Sequence, residues 1–375
     1  MVLADLGADV IKVERIDGGD NARNMGPHLG SWGAYYVPIN RGKRSIAIDI
    51  TKPEGREIVL RLASKSDVFI ENFRGGKAEA LGLDEASVRA RKPDIIYASL
   101  AAYGKTGPDY RKPGYDAVLQ ARTGIVSVTG PNADTPIRAG VSILDVGAGV
   151  WLALGITTAL LERERSGRGQ RVDASLFETG VMLMCYHLLY QQFTGKSPGP
   201  EGSRHNAMAP YGAFSTTDGA IMIGISTDAL FRRLCAALDR ADWIADPRFA
   251  TNASRVVNRA ALEGPIAELV CSKPTAHWLE LFNRHDVPAD AVQNAGEVLA
   301  DPQLAAIDQL AQIDLEGAGA VKIPRLPVRL SLTPAEIAGP PPKLAEHTRA
   351  VLAEAGYSDI DIVGFARAGI CALGA

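Results

Sequence analysis

The chain has 375 residues, of which 46% are hydrophobic and 22% charged, with a net charge of −3 and a pI near 6.1. A chain of this length exceeds one compact core of ordinary size, so we expect two lobes, or one large lobe with a smaller satellite. The composition excludes long disorder, and the lack of a basic surplus argues against nucleic acid as the main partner.

The first half of the chain alternates short β-rich runs with helical runs. The pattern predicts strands over 8–13, 67–70, 95–100 and 171–176, and helices over 53–64, 84–91, 115–122 and 146–165. Asp84 and Asp145 are the expected N-caps of the second and the last of these helices. Such β-α-β alternation predicts an α/β fold with a doubly wound parallel sheet.

The second half changes character after a polar run, rich in glycine and proline, over 194–209. A run of that length is typical of a linker or a binding loop. Strands are predicted over 211–215 and 220–225, and helices over 228–238, 258–271 and 275–285, which together indicate a smaller α+β lobe ending near residue 320. Beyond it we expect a strand over 328–332 and helices over 345–356 and 358–367.

The cysteine and histidine patterns restrict the chemistry. The four cysteines, Cys185, Cys235, Cys271 and Cys371, lie far apart with no C-x-x-C pair, as in proteins of a reducing compartment. The histidines never show H-x-x-x-H spacing, so we expect no metal. Neither G-x-G-x-x-G nor a P-loop occurs, which disfavours a nicotinamide or ATP enzyme. Without a signal core or a run of 18 apolar residues, we expect a cytoplasmic protein with no membrane partner.

One carboxylate stands out for its position. Residues 167–178 spell G-R-G-Q-R-V-D-A-S-L-F-E, which predicts a glycine-broken basic turn, a short strand and then Glu178 where a helix begins. Open α/β sheets bind ligands at that place, and a helix N-terminus favours a negative charge. Glu178 is therefore either a catalytic group or simply an acidic residue of a first helical turn.

Several ordered motifs together resemble the family III coenzyme A transferases, which are related to the α-methylacyl-CoA racemases. They are L-G-A-D-V-I-K-V-E-R at 6–15, N-R-G-K-R-S-I at 40–46, E-N-F-R at 71–74, G-Y-D at 114–116, G-R-G-Q-R-V at 167–172, D-P-R-F-A at 246–250 and E-H-T at 346–348. The resemblance implies a large Rossmann-like CoA-binding domain over 1–200 and a small α+β domain over 210–320. A C-terminal segment, 321–375, would return to the large domain, and two chains would form an intertwined homodimer.

The resemblance also implies a reaction. Acyl-CoA and a small carboxylic acid would be the substrates, no cofactor would be bound permanently, and Glu178 would take the place of the family's nucleophilic aspartate. Any ionised carboxylate can open a thioester to a mixed anhydride. The extra methylene moves its oxygens by roughly 1–1.5 Å, and a shift of that size can cost about a hundredfold in rate. Asp145 and Asp116 are further candidates for polar catalytic roles.

Two other functions stay open. In the racemase branch, a histidine base and an aspartate transfer a proton across the α-carbon; Asp145 matches the aspartate, but Tyr115 stands at the histidine position. A tyrosine with an ordinary pKa near 10 is a poor base at neutral pH. The second alternative is a non-catalytic remnant, because Met1 aligns inside the family's first helix and roughly 25–30 residues with an opening strand are missing. Since that strand would be central in a buried sheet, we expect weak CoA binding or poor folding of the chain as written.

The resemblance places the ligand contacts as follows. The CoA-binding candidates are Arg15, Ile48, Thr51, Asn72, Phe73, Arg74, Gly114 and Tyr115, and the candidates for acyl contact are His205 and Asn206. Two basic positions of the family pattern are Thr51 and Ala80 here, and Lys52 and Lys77 nearby could replace them. From the residues alone, Asn72 could equally satisfy a strand end, Tyr115 could belong to the core, and Arg15 could be a surface residue.

Overall fold

The computed structural model describes residues 1–374 and has a mixed α/β fold with parallel sheets. The α-helices are α1 Val2–Asp5, α2 Tyr36–Asn40, α3 Pro53–Ala63, α4 Lys77–Leu81, α5 Glu85–Arg89, α6 Asp116–Arg122, α7 Ile143–Ser166, α8 Leu176–Leu183, α9 Cys185–Thr194, α10 Asp228–Ala237, α11 Asp242–Ala245, α12 Asn252–Val257, α13 Arg259–Val270, α14 Thr275–Arg284, α15 Ala295–Leu299, α16 Pro302–Ala306, α17 Thr348–Glu354 and α18 Asp359–Arg367. The strands are β1 Val10–Glu14, β2 His28–Leu29, β3 Trp32–Gly33, β4 Lys43–Ile48, β5 Val68–Glu71, β6 Ile96–Ala101, β7 Arg171–Ser175, β8 Tyr211–Ser215, β9 Ala220–Gly224, β10 Ala289–Ala291, β11 Leu310–Leu315, β12 Gly319–Pro324 and β13 Cys371–Ala372.

The parallel strands form two separate sheets. Strands β5, β6 and β7 pair in parallel in that order, while β1 pairs in parallel with β4, and β13 adds antiparallel to the other edge of β4. The parallel pairing was predicted. The strands do not form one doubly wound sheet, because β1 and β5 are both edge strands with no partner on their outer side within residues 1–374. Parallel neighbours are joined by long crossovers, so local sequence patterns do not encode which strands meet.

The two sheets nevertheless share a hydrophobic core. Ile46 of β4 and Tyr97 of β6 belong to one buried cluster that also contains Ile58 of α3, Val351 of α17 and Ile362 of α18. On the opposite face of the second sheet, α7 packs its buried side against β6 and β7. Helices therefore cover this sheet on both faces, as parallel sheets require.

Two compact units divide the chain. The first comprises 1–119, 142–182 and 301–375, and the second comprises 120–141 and 183–300. The second unit contains the antiparallel sheet β10-β9-β8, which packs with α10, α13 and α14 around one hydrophobic core. These bounds differ from the predicted 1–200, 210–320 and 321–375, because the predicted boundary followed the polar run at 194–209, whereas the contacts change earlier, at the start of α9.

Two local predictions were wrong. Residues 328–332 are not a strand; the nearby strands are the hairpin β11–β12, whose side chains Ile313, Leu315 and Ile323 bury against Trp32 and Tyr36. Helix α7 begins three residues before the predicted start, so Asp145 lies within its first turn and is not its N-cap.

Candidate active site

The polar groups of the first unit gather where the parallel strands end. Asn72 follows β5, Gly104 lies in the loop after β6, and Glu178 lies in the first turn of α8, directly after β7. Because the three strands are parallel neighbours, these positions share one edge of the sheet. The carboxyl ends of parallel strands are where open α/β sheets bind ligands.

The side chain of Glu178 is folded back onto the start of its own helix. The Ser175 hydroxyl donates to Glu178 Oε2 at 2.6 Å, and the Glu178 backbone N–H donates to Ser175 Oγ at 3.0 Å. Ser175 is 1% exposed, whereas Glu178 is exposed. Glu178 Oε1 accepts no hydrogen bond from residues 1–374. One oxygen of the carboxylate is therefore fixed, and the other is free to react.

A glycine lies against this carboxylate. The loop after β6 is tied to α8 by a hydrogen bond from the Phe177 N–H to the Ala102 carbonyl at 3.0 Å. Gly104 follows with φ +96, and a Cβ placed there would lie 3.9 Å from both Glu178 Oε2 and Ser175 Oγ. The missing side chain leaves open space beside the carboxylate. That space lies on the side of Oε2, the oxygen bonded to Ser175.

Asp116 and Asp145 lie in different surroundings, and their catalytic roles stay predictions. Asp116 is 7% exposed, and its Oδ2 accepts the backbone N–H groups of Leu144 at 2.8 Å and Asp145 at 3.1 Å. These are orphan donors of the first turn of α7, so Asp116 caps that helix across 28 residues of sequence. Asp145 is exposed; partial burial and the negative charge of Asp116 raise the pKa of its carboxyl group.

The CoA-binding candidates next to the first sheet differ in their exposure to solvent. Arg15 is exposed directly after β1 and donates to the Gly19 carbonyl and to Asn21 Oδ1, which holds its guanidinium in place. Thr51 is exposed after β4 and bonds Asp49 Oδ1. Ile48 is 1% exposed and belongs to the hydrophobic core. Because β13 and the helices cover its side chain, a ligand contact of Ile48 would be through its backbone, and it stays a prediction.

The candidates of the second sheet surround its carboxyl edge. Asn72 Nδ2 donates to the Leu100 carbonyl at 2.6 Å, which fixes the end of β5 against β6. Phe73 packs partly into the core, and Arg74 donates to the Arg111 carbonyl. Tyr115 is 78% exposed, so it is not a core residue. Its solvent-facing ring is available to a ligand.

Gly114 has a structural reason to be glycine. A Cβ at this position would lie 2.5 Å from Leu119 Cδ2 and 2.7 Å from Ala102 Cβ, so no larger residue fits without a shift of the backbone. The close approach brings the start of α6 against the loop after β6. Any contact of Gly114 with a ligand would be through its backbone.

The structure distinguishes the two lysines that could replace the family's basic positions. Lys52 Nζ donates to the carbonyls of Ala368 at 2.8 Å and Gly369 at 3.0 Å, so it caps the end of α18. Lys77 is exposed at the first position of α4 and makes no ion pair or hydrogen bond with its side chain within residues 1–374. Lys77 is thus the lysine whose charge remains available for a phosphate.

The acyl-contact candidates lie in the second unit. His205 Nδ1 accepts the Ala207 N–H at 3.1 Å, and its ring centroid is 5.4 Å from that of Tyr211. Asn206 follows in the same half-buried turn. The role of both residues in binding the acyl group stays a prediction.

Sequence reasoning missed two members of the site, Ser175 and Gly104. Ser175 could have been found, because S-L-F-E at 175–178 has the S-x-x-E spacing of a capping box, in which the serine and the carboxylate face each other. Gly104 had no such signal. It lies more than 70 residues from Glu178 along the chain, and only the pairing of β6 with β7 brings them together.

The chain is similar to known proteins over most of its length. The family model described as CoA-transferase family III matches residues 1–348. A succinyl-CoA:glutarate CoA-transferase of Homo sapiens is 35% identical over 97% of this chain and 83% of its own length. An acetyl-CoA:oxalate CoA-transferase of Acetobacter aceti is 36% identical over 88% of this chain and 84% of its own. The crystal structure of a CAIB/BAIF family protein from Brucella suis is 37% identical, with a TM-score of 0.83 over 94% of this chain and 93% of that one.

Proposed function

This chain belongs to CoA-transferase family III, and we propose that it moves CoA from an acyl-CoA to a dicarboxylic acid with Glu178 as the nucleophile. Its named relatives transfer CoA between acyl-CoA thioesters and free acids. Glutarate and oxalate, the free acids in their names, each carry a second carboxylate. A substrate with two acid groups is therefore the class that this kinship favours.

The reaction would proceed by exchange at one side chain. Glu178 Oε1 attacks the thioester carbonyl, the C–S bond breaks, and CoA leaves as the thiolate from a mixed anhydride. The thiolate then attacks Glu178 Cδ, which releases the donor acid and forms a thioester between the enzyme and CoA. The acceptor carboxylate displaces CoA again, and CoA finally attacks the new acyl carbonyl. Over the whole cycle one CoA thioester is replaced by another, so the thioester energy is conserved.

The free oxygen of Glu178 is the observation that carries this proposal. A carboxylate whose oxygens were both held by donors would be a poor nucleophile, because attack would require the loss of a hydrogen bond. Here Ser175 holds Oε2 only, and Oε1, on an exposed side chain, accepts no hydrogen bond from the described residues 1–374. The site at the carboxyl ends of β5, β6 and β7 also offers the exposed Tyr115 and Lys77 for the pantetheine and phosphate groups of CoA.

The test combines exchange with identification of the acylated residue. The enzyme is incubated with succinyl-CoA and labelled glutarate or oxalate, with butyrate as the monocarboxylate control, and the new CoA ester is measured. We expect transfer to the dicarboxylates, a loss of roughly a thousandfold or more in Glu178→Ala, and acid-stable trapping of Glu178 by hydroxylamine. Transfer that continues in Glu178→Ala, with Glu178 unmodified, would remove this mechanism.

We also propose that two copies of the chain associate through the outer face of α7. This helix buries Leu152 and Ile156 but exposes Val146, Val150, Leu154 and Leu161, with exposed fractions of 66%, 49%, 54% and 55%. By length and composition alone it could cross a membrane, yet 33% of its apolar window is buried against its own sheet. A core helix with one apolar face uncovered instead suits a second protein surface. Sedimentation of the wild type and of Leu154→Glu tests this: we expect a dimer that becomes a monomer, and a wild-type monomer contradicts it.

A further inference from the structure

We infer that the Ser175 hydroxyl is a catalytic oxyanion donor, acting when the CoA thiolate attacks the acylated Glu178. The inference rests on the proposed function, since it requires Glu178 to be the group that is acylated. It assigns Ser175 a role in the second and third bond exchanges and none in the first.

The geometry directs the one proton of Ser175 to a single atom. Ser175 Oγ accepts the backbone N–H of Glu178 at 3.0 Å, which occupies a lone pair of the hydroxyl. Its own proton goes to Glu178 Oε2 at 2.6 Å, an ordinary distance for a hydroxyl and a carboxylate. With 1% of its surface exposed, Ser175 has little water to compete for that proton. The donor is therefore in place before the reaction begins.

The chemistry then gives Oε2 a second role. Once Oε1 carries the acyl group, Oε2 becomes the carbonyl oxygen of the Glu178 half of the anhydride. When the thiolate attacks Cδ, the electron pair of that carbonyl moves onto Oε2, and its negative charge lies at the Ser175 proton. Collapse breaks the bond between Cδ and Oε1, and the donor acid leaves as its carboxylate. A preorganised donor at the atom that gains charge is the most effective kind of electrostatic catalysis.

The donor also decides between two possible attacks. A mixed anhydride has two carbonyls, and attack on the acyl carbonyl merely regenerates the starting thioester. The hydrogen bond of Ser175 polarises the Glu178 carbonyl, so it favours the attack that forms the thioester between enzyme and CoA. The same donor serves again when the acceptor carboxylate attacks Cδ and the C–S bond breaks. Ser175 thus raises the fraction of the anhydride that goes on to the thioester between enzyme and CoA.

A merely structural reading of Ser175 is that it caps α8, and the chain contains a matched control for it. In α18, Ser358 Oγ donates to Asp361 Oδ2 at 2.6 Å, and the Asp361 N–H donates to Ser358 Oγ at 3.2 Å. The spacing and the bonds resemble those of Ser175 and Glu178, but this pair lies in the C-terminal helix and contains no candidate for catalysis. Ser358→Ala removes a helix cap alone.

The experiment measures both enzyme adducts directly. The wild type, Ser175→Ala, Ser175→Gly and Ser358→Ala are mixed with succinyl-CoA, quenched in acid after milliseconds to seconds, and weighed as intact protein, with the adducts mapped to Glu178. We expect the acyl adduct of both Ser175 variants to form at least as fast as in the wild type, because a carboxylate that has lost a donor is a better nucleophile. The CoA adduct should form roughly a hundredfold more slowly. Ser358→Ala should match the wild type in both.

The outcomes separate this inference from the one on which it rests. If the wild type shows neither adduct on Glu178, the proposed nucleophile is wrong. If the wild type shows both, but the Ser175 variants form them in the wild-type ratio or lose both in parallel, then Ser175 only shapes the helix and the inference is overturned. Ser175→Gly guards against a folding defect, because glycine at an N-cap costs only a few tenths of a kcal/mol.

Discussion

Replacing Gly104 with alanine should show whether the reaction depends on the open space beside Glu178 or only on the conformation of the loop. The new methyl group would lie 3.9 Å from Glu178 Oε2 and from Ser175 Oγ, an ordinary contact distance, so the resting site should tolerate it. The thioester carbonyl has to come within about 3–3.5 Å of the carboxylate, and we expect it to enter the same volume. The methyl group would therefore hinder the substrate and not the free enzyme.

The expected loss of activity has two contributions, backbone strain and displacement of the thioester. Gly104 has φ +96, where an L-residue is strained by roughly 1–3 kcal/mol. Gly107, in the same loop, has φ +92 and no heavy atom within 4 Å of the position that a methyl group would take, so Gly107→Ala carries the same backbone strain without the obstruction. A displacement of the thioester by about 1 Å is worth about a hundredfold in rate. We expect kcat/KM to fall about a hundredfold in Gly104→Ala and less than about threefold in Gly107→Ala.

The assay is steady-state transfer from succinyl-CoA, together with the thermal midpoint and the CoA affinity of each variant. The two variants should lose similar thermal stability and keep similar affinity for free CoA, since the pantetheine thiol lacks the carbonyl that is obstructed. Equal losses of activity in both variants would show that loop conformation, and not the space at Gly104, governs the reaction. Full activity in Gly104→Ala would show that the substrate enters from another side.

Two further predictions concern stability. Asp116→Ala should lower the free energy of unfolding in urea by about 2–3 kcal/mol, because a buried and a partly buried N–H group of α7 lose their acceptor. Asp145→Asn, on the exposed side of the same turn, should change it by less than about 0.5 kcal/mol. Equal effects would contradict the assignment of Asp116 as the cap. Burial and, secondly, the charge of Lys12 lower the pKa of Lys43 to about 8. Between about pH 8 and 10.5 the unfolded chain then binds more protons than the folded one, so the free energy of unfolding should rise with pH by at most about 3 kcal/mol across that window. Lys43→Met should remove the rise. An unchanged dependence of the free energy of unfolding on pH in Lys43→Met would refute the buried charge.

The parts of the fold that follow from neighbouring residues were predictable from the sequence. Asp84 caps α5 by accepting the Ser87 N–H, as its position before an apolar run indicated. Gly167, in the basic turn before β7, also has a local reason to be glycine, because it ends α7 with φ +69. Helix caps and helix-ending glycines depend on only a few neighbouring residues, so a sequence pattern can identify them.

The parts that depend on distant contacts were not predictable. The first turn of α7 is capped by Asp116 and not by Asp145, because a carboxylate from another helix satisfies its N–H groups. Ile48 ends a strand at the ligand edge, yet β13, more than 300 residues later, covers it. The Ser175 contact lies between these cases: its spacing is visible in the sequence, but its position at the carboxyl end of β7, next to Gly104, comes from the sheet.

That difference in position separates the pair Ser175–Glu178, for which we propose a catalytic role, from the similar pair Ser358–Asp361, for which we propose none. Ser358 and Asp361 show that an aspartate reaches its N-cap hydroxyl at 2.6 Å, the distance that Glu178 keeps to Ser175. The hydroxyl contact is therefore insensitive to one methylene, and the longer side chain changes only where the second oxygen lies. A glutamate can replace an aspartate at such a site if the neighbouring backbone leaves room for the shifted oxygen and its substrate. Gly104 has no Cβ, so it leaves room beside Oε2, the oxygen that Ser175 holds.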